Sequence, residues 1–523
     1  MLAIFAFFSL FIFSFRTNAQ CATDFDWSSL TPSTVLNWTD CYTNGLQCTR
    51  LSVPLDYANG TDERATIAMV RIPSPFGLNG SSEYRGPLLF NPGGPGESGV
   101  DFLTGPEAST LQTRLGDKYD IVGFDPRGVG RSTPAADVFG STLRAALWGE
   151  NSLQTTLPPL SQPGNVGLTL AKAQIANTIY GQTGASYLSY INTPWTAQDM
   201  LQIVKAHGID EVNYYGISYG TVLGAVFATM FPQNVGKMIL DGVADTEAYF
   251  AGNVTANLLS TDAALNVFFQ SCFAAGPDLC AFYDSSPGKI SANLGALYEQ
   301  LKAAPIPATD GVNYGVVDYS LVRHLVRASL YSPYSSFASL AEGFALAAQG
   351  NASLLFSLGY TPLSNSPCNC SKEDPTINNV NTFLTVSCND ADTQNKTISE
   401  WEAFYEAAAN VSAYADVWAG TVMRCSAWPV TTKNPARGPW GGNTSTPILF
   451  IGNTFDPVTP FAGAQKMSSL FSGSGLLKQN STGHTSISAS SECTTNVVVR
   501  YLENMTLPDA GAICQVEGDI FSA

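Results

Sequence analysis

Four short apolar segments that each end in a glycine-rich turn constrain the fold of this chain more than any other feature. They begin at residues 86, 119, 212 and 236 and read GPLLFNPGGPG, YDIVGFDPRGVG, VNYYGISYG and GKMILDGVAD. Uninterrupted apolar runs of this length suit strands that are buried on both faces of a parallel sheet. Helical patterns such as TAQDMLQIVKAHG lie between some of them, so the alternation predicts a doubly wound, mostly parallel α/β sheet.

A region of different character interrupts this pattern. After about residue 245 the chain is rich in Ala, Ser and Asn and has helical stretches such as EWEAFYEAAANV, and strand signals resume at TPILFIGNTFDPVTP. We therefore expect one α/β core built from residues 20–245 and 436–523, with a mostly helical insertion over residues 246–435. Alternating apolar residues in LQCTRLSVPLDY and RATIAMVRIP predict two antiparallel strands early in the core.

The first residues predict export. Leu2 to Phe15 form an apolar run that is too short to span a bilayer comfortably, and Thr17 and Ala19 are small residues at the spacing that a signal peptidase prefers. We predict a signal peptide over residues 1–19, with a retained membrane anchor as the alternative. No later segment has 18 consecutive apolar residues, so we expect a secreted, extracellular protein that does not associate with membranes.

The cysteines and glycosylation sequons agree with export. Eleven cysteines suit an oxidising compartment, and no CxxC pair or Cys/His cluster indicates a metal site. Close spacing predicts the local disulfides Cys41–Cys48, Cys272–Cys280 and Cys493–Cys514, and Cys388–Cys425 is a candidate pair at longer range; the sequence alone does not decide the connectivity. Three cysteines stay unassigned: Cys21, Cys368 and Cys370. N-glycosylation is expected because sequons begin at Asn37, Asn59, Asn79, Asn253, Asn351, Asn369, Asn395, Asn410, Asn443, Asn480 and Asn504.

The charge of the chain argues against two classes of partner. There are 42 acidic and 25 basic residues, which gives a formal net charge of −17. Nucleic acid requires a basic face, and anionic membrane surfaces attract basic residues for the same reason. Neither is therefore an expected partner, and the sequence leaves the oligomeric state open.

The stretch YYGISYGT predicts a nucleophile. A serine hydroxyl reacts well only when a base takes its proton. Gly216 and Gly220 flank Ser218 at two residues on either side, between a predicted strand and a predicted helix. Small residues at these positions relieve the crowding of the sharp turn that presents a catalytic serine. In the alternative interpretation, Ser218 only caps the helix.

A base and an acid for this serine can be chosen from the few histidines. His484 lies in a loop after the predicted strand GLLKQN, whereas His207 ends a helix and His324 lies on a helix of the insertion. We predict His484 as the base, because such a loop opens at the edge of the sheet where the serine stands. Asp456 follows another predicted strand and would orient the imidazole. Its alternative role is that of an Asp that forms a turn before a proline.

Two backbone groups are predicted to stabilise the oxyanion of an acyl-transfer reaction. One is the N–H of Tyr219, the residue after the nucleophile. The other belongs to the loop NPGGPGESG, whose glycines allow a close approach of the backbone to a ligand. A phosphate-binding loop is the rival interpretation, but no GxxxxGK[ST] pattern follows the strand.

Five motifs now occur together in a fixed order. They are NPGGPGESG, DPRGVGRS, GISYGT, DPVTP and the GH that ends at His484. In this order they resemble the secreted tripeptidyl-aminopeptidase branch of the proline-iminopeptidase-like serine peptidases. CSAWP resembles the start of that branch's C-terminal region, and SCNDAD resembles its acidic motif on the side of the cap. The resemblance covers most of the chain from about Leu46.

The resemblance implies an α/β-hydrolase fold in which the helical insertion forms a cap over the site. It implies a catalytic triad and a second oxyanion donor, which are Ser218, Asp456, His484 and Gly94. It also implies cleavage near a free peptide N-terminus, with acids that hold the amine; the candidate acids are Glu97, Asp390 and Asp392. Glu97 stands where relatives commonly have a small residue, and its alternative role is to cap the following helix.

The leading functional hypothesis is a secreted serine exopeptidase that releases one to three residues and needs no cofactor. An esterase or lactonase is the alternative, because the same triad serves both reactions. A non-catalytic, hydrolase-like binding protein is disfavoured by the intact set of catalytic candidates. Epoxide hydrolases and dehalogenases share the fold but carry Asp where this chain has Ser218.

Overall fold

The computed structural model of the chain describes residues 25–42, 45–60, 62–140, 159–183, 186–359, 378–392 and 394–521. The predicted signal peptide, the unassigned Cys21, Cys368 and Cys370, and the sequon at Asn369 lie outside these ranges.

A ten-stranded, mostly parallel sheet forms the centre of the fold. In chain order the strands are Thr39–Asp40 (β1), Gln47–Pro54 (β2), Arg64–Ile72 (β3), Pro87–Asn91 (β4), Asp120–Phe124 (β5), Val212–Ile217 (β6), Val235–Asp241 (β7), Ile306–Thr309 (β8), Tyr314–Val317 (β9), Leu449–Phe455 (β10), Gly475–Thr482 (β11) and Ile513–Gln515 (β12). The sheet order is β1-β2-β3-β5-β4-β6-β7-β10-β11-β12, and β8 and β9 form a separate antiparallel hairpin. Strands β1, β2, β3 and β5 pair antiparallel, and all pairs from β5 to β12 are parallel. The predicted α/β sheet is therefore confirmed.

Helices cover both faces of this sheet. In chain order they are Pro75–Leu78 (α1), Gly99–Thr104 (α2), Ala108–Leu115 (α3), Asn165–Gln182 (α4), Thr193–Ala206 (α5), Tyr219–Met230 (α6), Thr246–Phe250 (α7), Thr255–Leu258 (α8), Thr261–Ala275 (α9), Pro287–Ala303 (α10), Tyr319–Ser329 (α11), Pro333–Ala348 (α12), Ser353–Gly359 (α13), Asn378–Asp390 (α14), Ile398–Ala409 (α15), Ala415–Arg424 (α16), Phe461–Leu470 (α17) and Glu492–Asn504 (α18). Helices α2, α3 and α18 pack on one face, and α5, α6 and α17 pack on the other.

The two faces explain why the strands are apolar throughout. Leu88 and Phe90 of β4 pack among α2, α3 and α18, whereas Leu89 between them packs on the opposite side with α5 and α6. All three side chains are fully buried. A strand that is covered on both sides needs apolar residues at every position, because successive side chains point to opposite faces.

The segment between the two halves of the core forms a helical layer. Helices α9–α13 enclose a core of their own around the aromatic side chains of Phe268, Phe337 and Phe344. Helix α4, which precedes residue 245, also joins this layer. Its Asn177 amide donates to the backbone oxygens of Arg424 and Ser426 at the end of α16.

Disulfides fasten both parts of the chain. The four predicted pairs are all present: Cys41–Cys48, Cys272–Cys280, Cys388–Cys425 and Cys493–Cys514. The pair Cys388–Cys425 ties α14 to the end of α16 within the inserted segment. Of the helices described here, none is long and apolar enough to cross a membrane.

Candidate active site

Ser218 occupies a strained turn between β6 and α6. Its φ and ψ are 56° and −125°, and its N–H donates to the carbonyl oxygen of Asp241 at 3.1 Å. A Cβ at Gly216 would lie 2.5 Å from the carbonyl oxygen of Gly220, and a Cβ at Gly220 would lie 2.7 Å from that of Asn91. Only glycine fits these two positions without movement of the backbone. The side chain of Ser218 makes no capping hydrogen bond to α6, so the helix-cap alternative does not explain it.

His484 stands in the loop after β11 and faces Asp456. The Nδ1 atom of His484 lies 3.0 Å from Oδ1 and 3.1 Å from Oδ2 of Asp456. The backbone N–H of His484 donates to the carbonyl oxygen of Tyr331 in the helical layer at 2.9 Å. The Tyr331 ring meets the imidazole edge-on, with ring centroids 5.0 Å apart. The imidazole is therefore oriented by a carboxylate on one side and an aromatic ring on another.

Asp456 is fully buried and accepts several hydrogen bonds. The backbone N–H groups of Val458 and Thr459 donate to Oδ1 at 2.9 and 2.8 Å, and that of Thr485 donates to Oδ2 at 2.8 Å. Burial raises the pKa of this carboxyl, but the positive charge of His484 and the hydrogen bonds outweigh burial, so the pKa is lowered. Asp456 thus forms the turn before proline that the alternative required, and also holds the imidazole.

The end of β7 brings the serine and histidine loops together. In the sheet, Asp241 is level with Ile217 of β6 on one side and with Ile451 of β10 on the other. Ser486, two residues after His484, donates its N–H and its hydroxyl to the Asp241 carboxylate at 2.8 and 2.5 Å. Because Asp241 also accepts the N–H of Ser218, one buried residue fastens both loops.

The glycine loop after β4 lies against the serine. A Cβ at Gly93 would lie 2.9 Å from the Cβ of Ser218 and 3.1 Å from the nitrogen of Tyr219. The N–H of Gly93 donates to Asn91 Oδ1 at 3.0 Å. The N–H groups of Gly94 and Tyr219 have no acceptor among the residues that the structure describes. Gly94, Ser218 and Tyr219 line the same pocket, and an oxyanion needs N–H donors of this kind.

Asp125 secures the far end of this loop. Its carboxylate accepts the hydroxyl of Ser98 at 2.5 Å and the backbone N–H groups of Val100 and Arg131 at 3.1 and 2.9 Å. Burial raises the pKa of Asp125 to about 6, against the positive charge of Arg131. Ser98 itself accepts from the N–H of Asp101 and is the N-cap of α2. The alternative that Glu97 caps this helix is therefore wrong.

Glu97 faces the space near the imidazole. Its side chain is accessible to solvent, yet protein surrounds it on most sides. This desolvation raises the pKa of the Glu97 carboxyl, and the charge of His484 acts in the opposite direction. Glu97 thus has the accessibility that a ligand-binding acid needs.

Asp390 is engaged by the protein itself. Thr193 donates its N–H at 3.0 Å and its hydroxyl at 2.6 Å, and the hydroxyl of Tyr249 donates at 3.0 Å. The Thr193 hydroxyl also lies 2.5 Å from that of Tyr219. Burial raises the pKa of Asp390 to about 6 in spite of these donors. Through Thr193, Asp390 connects α14 with Tyr219, and its buried carboxylate offers no open side to a ligand.

Asp392 lies at the wall of the main pocket. This pocket encloses about 850 Å³, part of it open to solvent, and reaches Ser218 and Gly94. Its other walls are mostly apolar and include Tyr249 and Trp418. Asp392 is 63% exposed and lies 3.5 Å from Arg437. The pocket therefore combines an apolar interior beside the serine with one accessible carboxylate.

The remaining histidines lie elsewhere. His207 is the C-cap of α5, where its Nδ1 lies 2.9 Å from the carbonyl oxygen of Ile203. His324 lies on α11. Among the described residues, no group of three His, Cys, Asp or Glu side chains is arranged to hold a metal ion.

Sequence reasoning missed several residues that support the site. Tyr331 and Trp418 come from distant helices, and no local pattern signals their contact with the loops of the core. Asp241 could have been found, because a charged residue that ends a buried strand points to the carboxyl edge of the sheet.

Comparison with known proteins places these features in a family context. The model described as "alpha/beta hydrolase fold" matches residues 86–275, and the model described as "TAP-like protein" matches residues 410–514. The chain is 29% identical over 466 residues to the tripeptidyl aminopeptidase of Streptomyces lividans, which covers 86% of this chain and 80% of that protein. It is 27% identical over 504 residues to serine protease Hip1 of Mycobacterium tuberculosis, with 92% and 91% covered. Carboxylesterase B of the same organism is 27% identical over 482 residues, with 90% and 86% covered.

Proposed function

Because this chain is an α/β-hydrolase and a homologue of the tripeptidyl-aminopeptidase group of serine peptidases, we propose that it is a secreted exopeptidase that cleaves peptide bonds near a free N-terminus. The observation that supports the proposal is that three features lie at the same edge of the sheet. They are the strained Ser218, the imidazole of His484 held 3.0 Å from Asp456, and the glycine loop against the serine.

In the proposed reaction, Ser218 Oγ attacks the carbonyl carbon of the scissile bond while His484 takes its proton. The N–H groups of Gly94 and Tyr219 stabilise the oxyanion. His484 then returns the proton to the leaving amine, the C–N bond breaks, and an acyl-enzyme remains. Water, deprotonated by His484, hydrolyses this ester and regenerates Ser218. Asp456 keeps the imidazole in one tautomer and stabilises its protonated form.

Recognition of the free amine falls to an accessible acid. We assign it to Asp392, because this carboxylate lies at the wall of the pocket that reaches the serine. Glu97, beside the glycine loop, is the second choice. We do not assign this role to Asp390, because its carboxylate accepts hydrogen bonds from Thr193 and Tyr249.

The proposal is tested with chromogenic mono-, di- and tripeptide substrates, each with a free and an N-acetylated amine. We expect the free peptides to be cleaved faster, because the acetyl group removes the charge that the acid binds. If wild-type protein cleaves acetylated peptides as fast as free ones, the exopeptidase assignment is wrong.

An esterase is the second candidate, and the name of one relative, carboxylesterase B, favours it. The apolar interior of the pocket would suit a small ester equally well. The distinguishing result is a higher kcat/KM for an N-blocked ester than for any free peptide.

Export and N-glycosylation are part of the proposal. Four disulfides support an oxidising compartment. The sequon asparagines within the described ranges are at least partly accessible: Asn37, Asn59, Asn79, Asn253, Asn351, Asn395, Asn410, Asn443, Asn480 and Asn504. N-terminal sequencing of protein from the culture medium should start at residue 20, and treatment with an N-glycosidase should lower its mass.

A further inference from the structure

Arg327 has no carboxylate partner among the described residues and lies beside Trp418, a residue that lines the pocket. It lies half-buried on α11. Among the described residues, no Asp or Glu oxygen comes within 4.0 Å of its guanidinium. Arg323, one turn earlier on the same helix, has the usual arrangement: it lies 3.0 Å from Asp416 and donates to the carbonyl oxygen of Ala413. Arg323 is therefore paired with a carboxylate, whereas Arg327 has no such partner among the described residues, although the two lie one turn apart on the same helix.

The surroundings of Arg327 connect it to both halves of the active site. One of its N–H groups donates to the hydroxyl of Tyr331 at 3.0 Å, and its Cζ atom lies 5.3 Å from the centre of that ring. On the other side, Cζ lies 5.6 Å from the ring of Trp418, which lines the pocket that reaches Ser218. Tyr331 in turn packs against His484. The guanidinium thus contacts one residue that lines the pocket and one residue that packs against the proposed base.

The role of the histidine in the reaction indicates which part of a peptide substrate lies near Arg327. A triad histidine gives its proton to the leaving amine, so the departing peptide must run past His484. Arg327 cannot be farther from the imidazole than its distance to the Tyr331 ring plus that ring's 5.0 Å to His484. An extended peptide advances roughly 3.3–3.6 Å per residue. The guanidinium is therefore within reach of groups two or three residues beyond the scissile bond.

The chemistry of the guanidinium selects the ligand. Arginine has five N–H donors in a planar fork that matches a carboxylate in a bidentate manner. The hydroxyl of Tyr331 occupies one donor group, and the others have no partner among the described residues. In a chain with a net charge of −17, an arginine that lies beside the pocket and has no carboxylate partner among the described residues gives a local preference for an anion.

We propose that Arg327 binds a carboxylate of the departing peptide. This inference rests on the proposed exopeptidase function and narrows its substrate class. Preferred substrates are short peptides whose free C-terminus lies two or three residues after the scissile bond, or peptides with an Asp or Glu side chain at that distance. Both sources present the same group to the guanidinium.

The test compares two forms of one peptide, with two residues after the scissile bond and either a C-terminal acid or a C-terminal amide. In wild type, we expect the ratio of kcat/KM for acid over amide to be roughly 10 to 100, as for loss of a charge-assisted hydrogen bond. In Arg327→Gln, the ratio should fall to near one. Arg500→Gln removes the same charge from an exposed position on α18 and should keep the wild-type ratio.

A third peptide, amidated but with Glu at its last position, separates the two sources of the carboxylate. If it regains the rate of the free acid in wild type only, a side-chain carboxylate satisfies Arg327; if it stays at the rate of the plain amide, the C-terminus itself is recognised. A wild-type ratio near one overturns the inference, and so does a ratio that Arg327→Gln leaves unchanged. Cleavage of the chromogenic peptides with a ratio of one would leave the exopeptidase function standing. No cleavage of any peptide would overturn both.

Discussion

Gly93 lies directly against Ser218. A Cβ at Gly93 would lie 2.9 Å from the Cβ of Ser218 and 2.7 Å from the carbonyl oxygen of Ile217, which is closer than real Cβ atoms come. The φ of Gly93 is 103°, a conformation that other residues rarely adopt. The proposed oxyanion loop can therefore pack against the proposed nucleophile only because residue 93 has no side chain.

We predict that Gly93→Ala lowers kcat by about 100-fold or more, because the loop must shift and its N–H donors leave the oxyanion. Gly116→Ala is the matched control, since Gly116 also has a positive φ of 76° but open space around its Cβ position. The positive φ alone should cost each variant roughly 1–3 kcal/mol of stability; Gly93→Ala should lose more because its Cβ also overlaps the backbone, and only Gly93→Ala should lose activity. Steady-state rates and chemical unfolding of the two proteins provide the comparison; equal activities would contradict the proposed position of the loop.

Replacement of the proposed nucleophile or base should abolish turnover. We expect Ser218→Ala and His484→Ala to fold normally and to lose on the order of 10⁴- to 10⁶-fold in kcat, as for other triads. His207→Ala should retain most activity, because that ring caps α5. A burst of chromogenic product in wild type, absent from Ser218→Ala, would report the acyl-enzyme. More than a tenth of the wild-type rate in Ser218→Ala would remove this residue from the mechanism.

The amine-binding acid can be identified by non-additivity. Asp392 is 63% exposed, and an exposed charge pair contributes only about 0.2–1 kcal/mol, so Asp392→Asn should lower kcat/KM for free peptides by at most about fivefold. Acetylation of the substrate should cost a similar amount, and the two losses should not add, since they delete the same contact. Glu97→Gln is measured in parallel. Fully additive losses for both variants would show that neither acid binds the amine.

The buried Asp390 should make stability depend on pH. Its pKa is about 6 in the folded protein because of burial, and about 3.9 in an unfolded chain. The folded state thus holds the proton more tightly, so this group lowers the free energy of unfolding as pH rises from about 4 to about 6. The stability of wild type minus that of Asp390→Asn should fall by roughly 2–3 kcal/mol over this interval. Denaturant unfolding at pH 4 and pH 7 measures it, and a constant difference would contradict the raised pKa.

Much of the core could be predicted from sequence because its signals are local. Each strand of the parallel part is a short apolar run with a glycine-rich end, and β6 and α6 follow directly from the residues around Ser218. The three local disulfides also followed from close spacing, whereas Cys388–Cys425 joins residues 37 positions apart, a separation that spacing alone does not select. Helix α4 is different: nothing in its own pattern shows that Asn177 donates to the end of α16, far along the chain.

The roles of the acids were harder to predict, for a physical reason. A motif shows that a carboxylate is present but not which donors surround it. Asp390 and Asp392 are two residues apart, yet one is buried among hydroxyl and N–H donors and the other is exposed beside Arg437. This difference arises from the packing of α14 against α5 and α7, which no local pattern encodes.

The hydrogen bond from His484 to Tyr331 has a practical consequence for protein engineering. Relatives with different substrate preferences invite chimeras in which the covering helices are exchanged. A graft that replaces Tyr331 or shifts its peptide group would leave the loop of the histidine held from the core side alone. The end of α11 and residue 331 in such a chimera should therefore come from the same protein as the α/β core. The hydrogen bond to the histidine loop is then preserved when the other covering helices are exchanged.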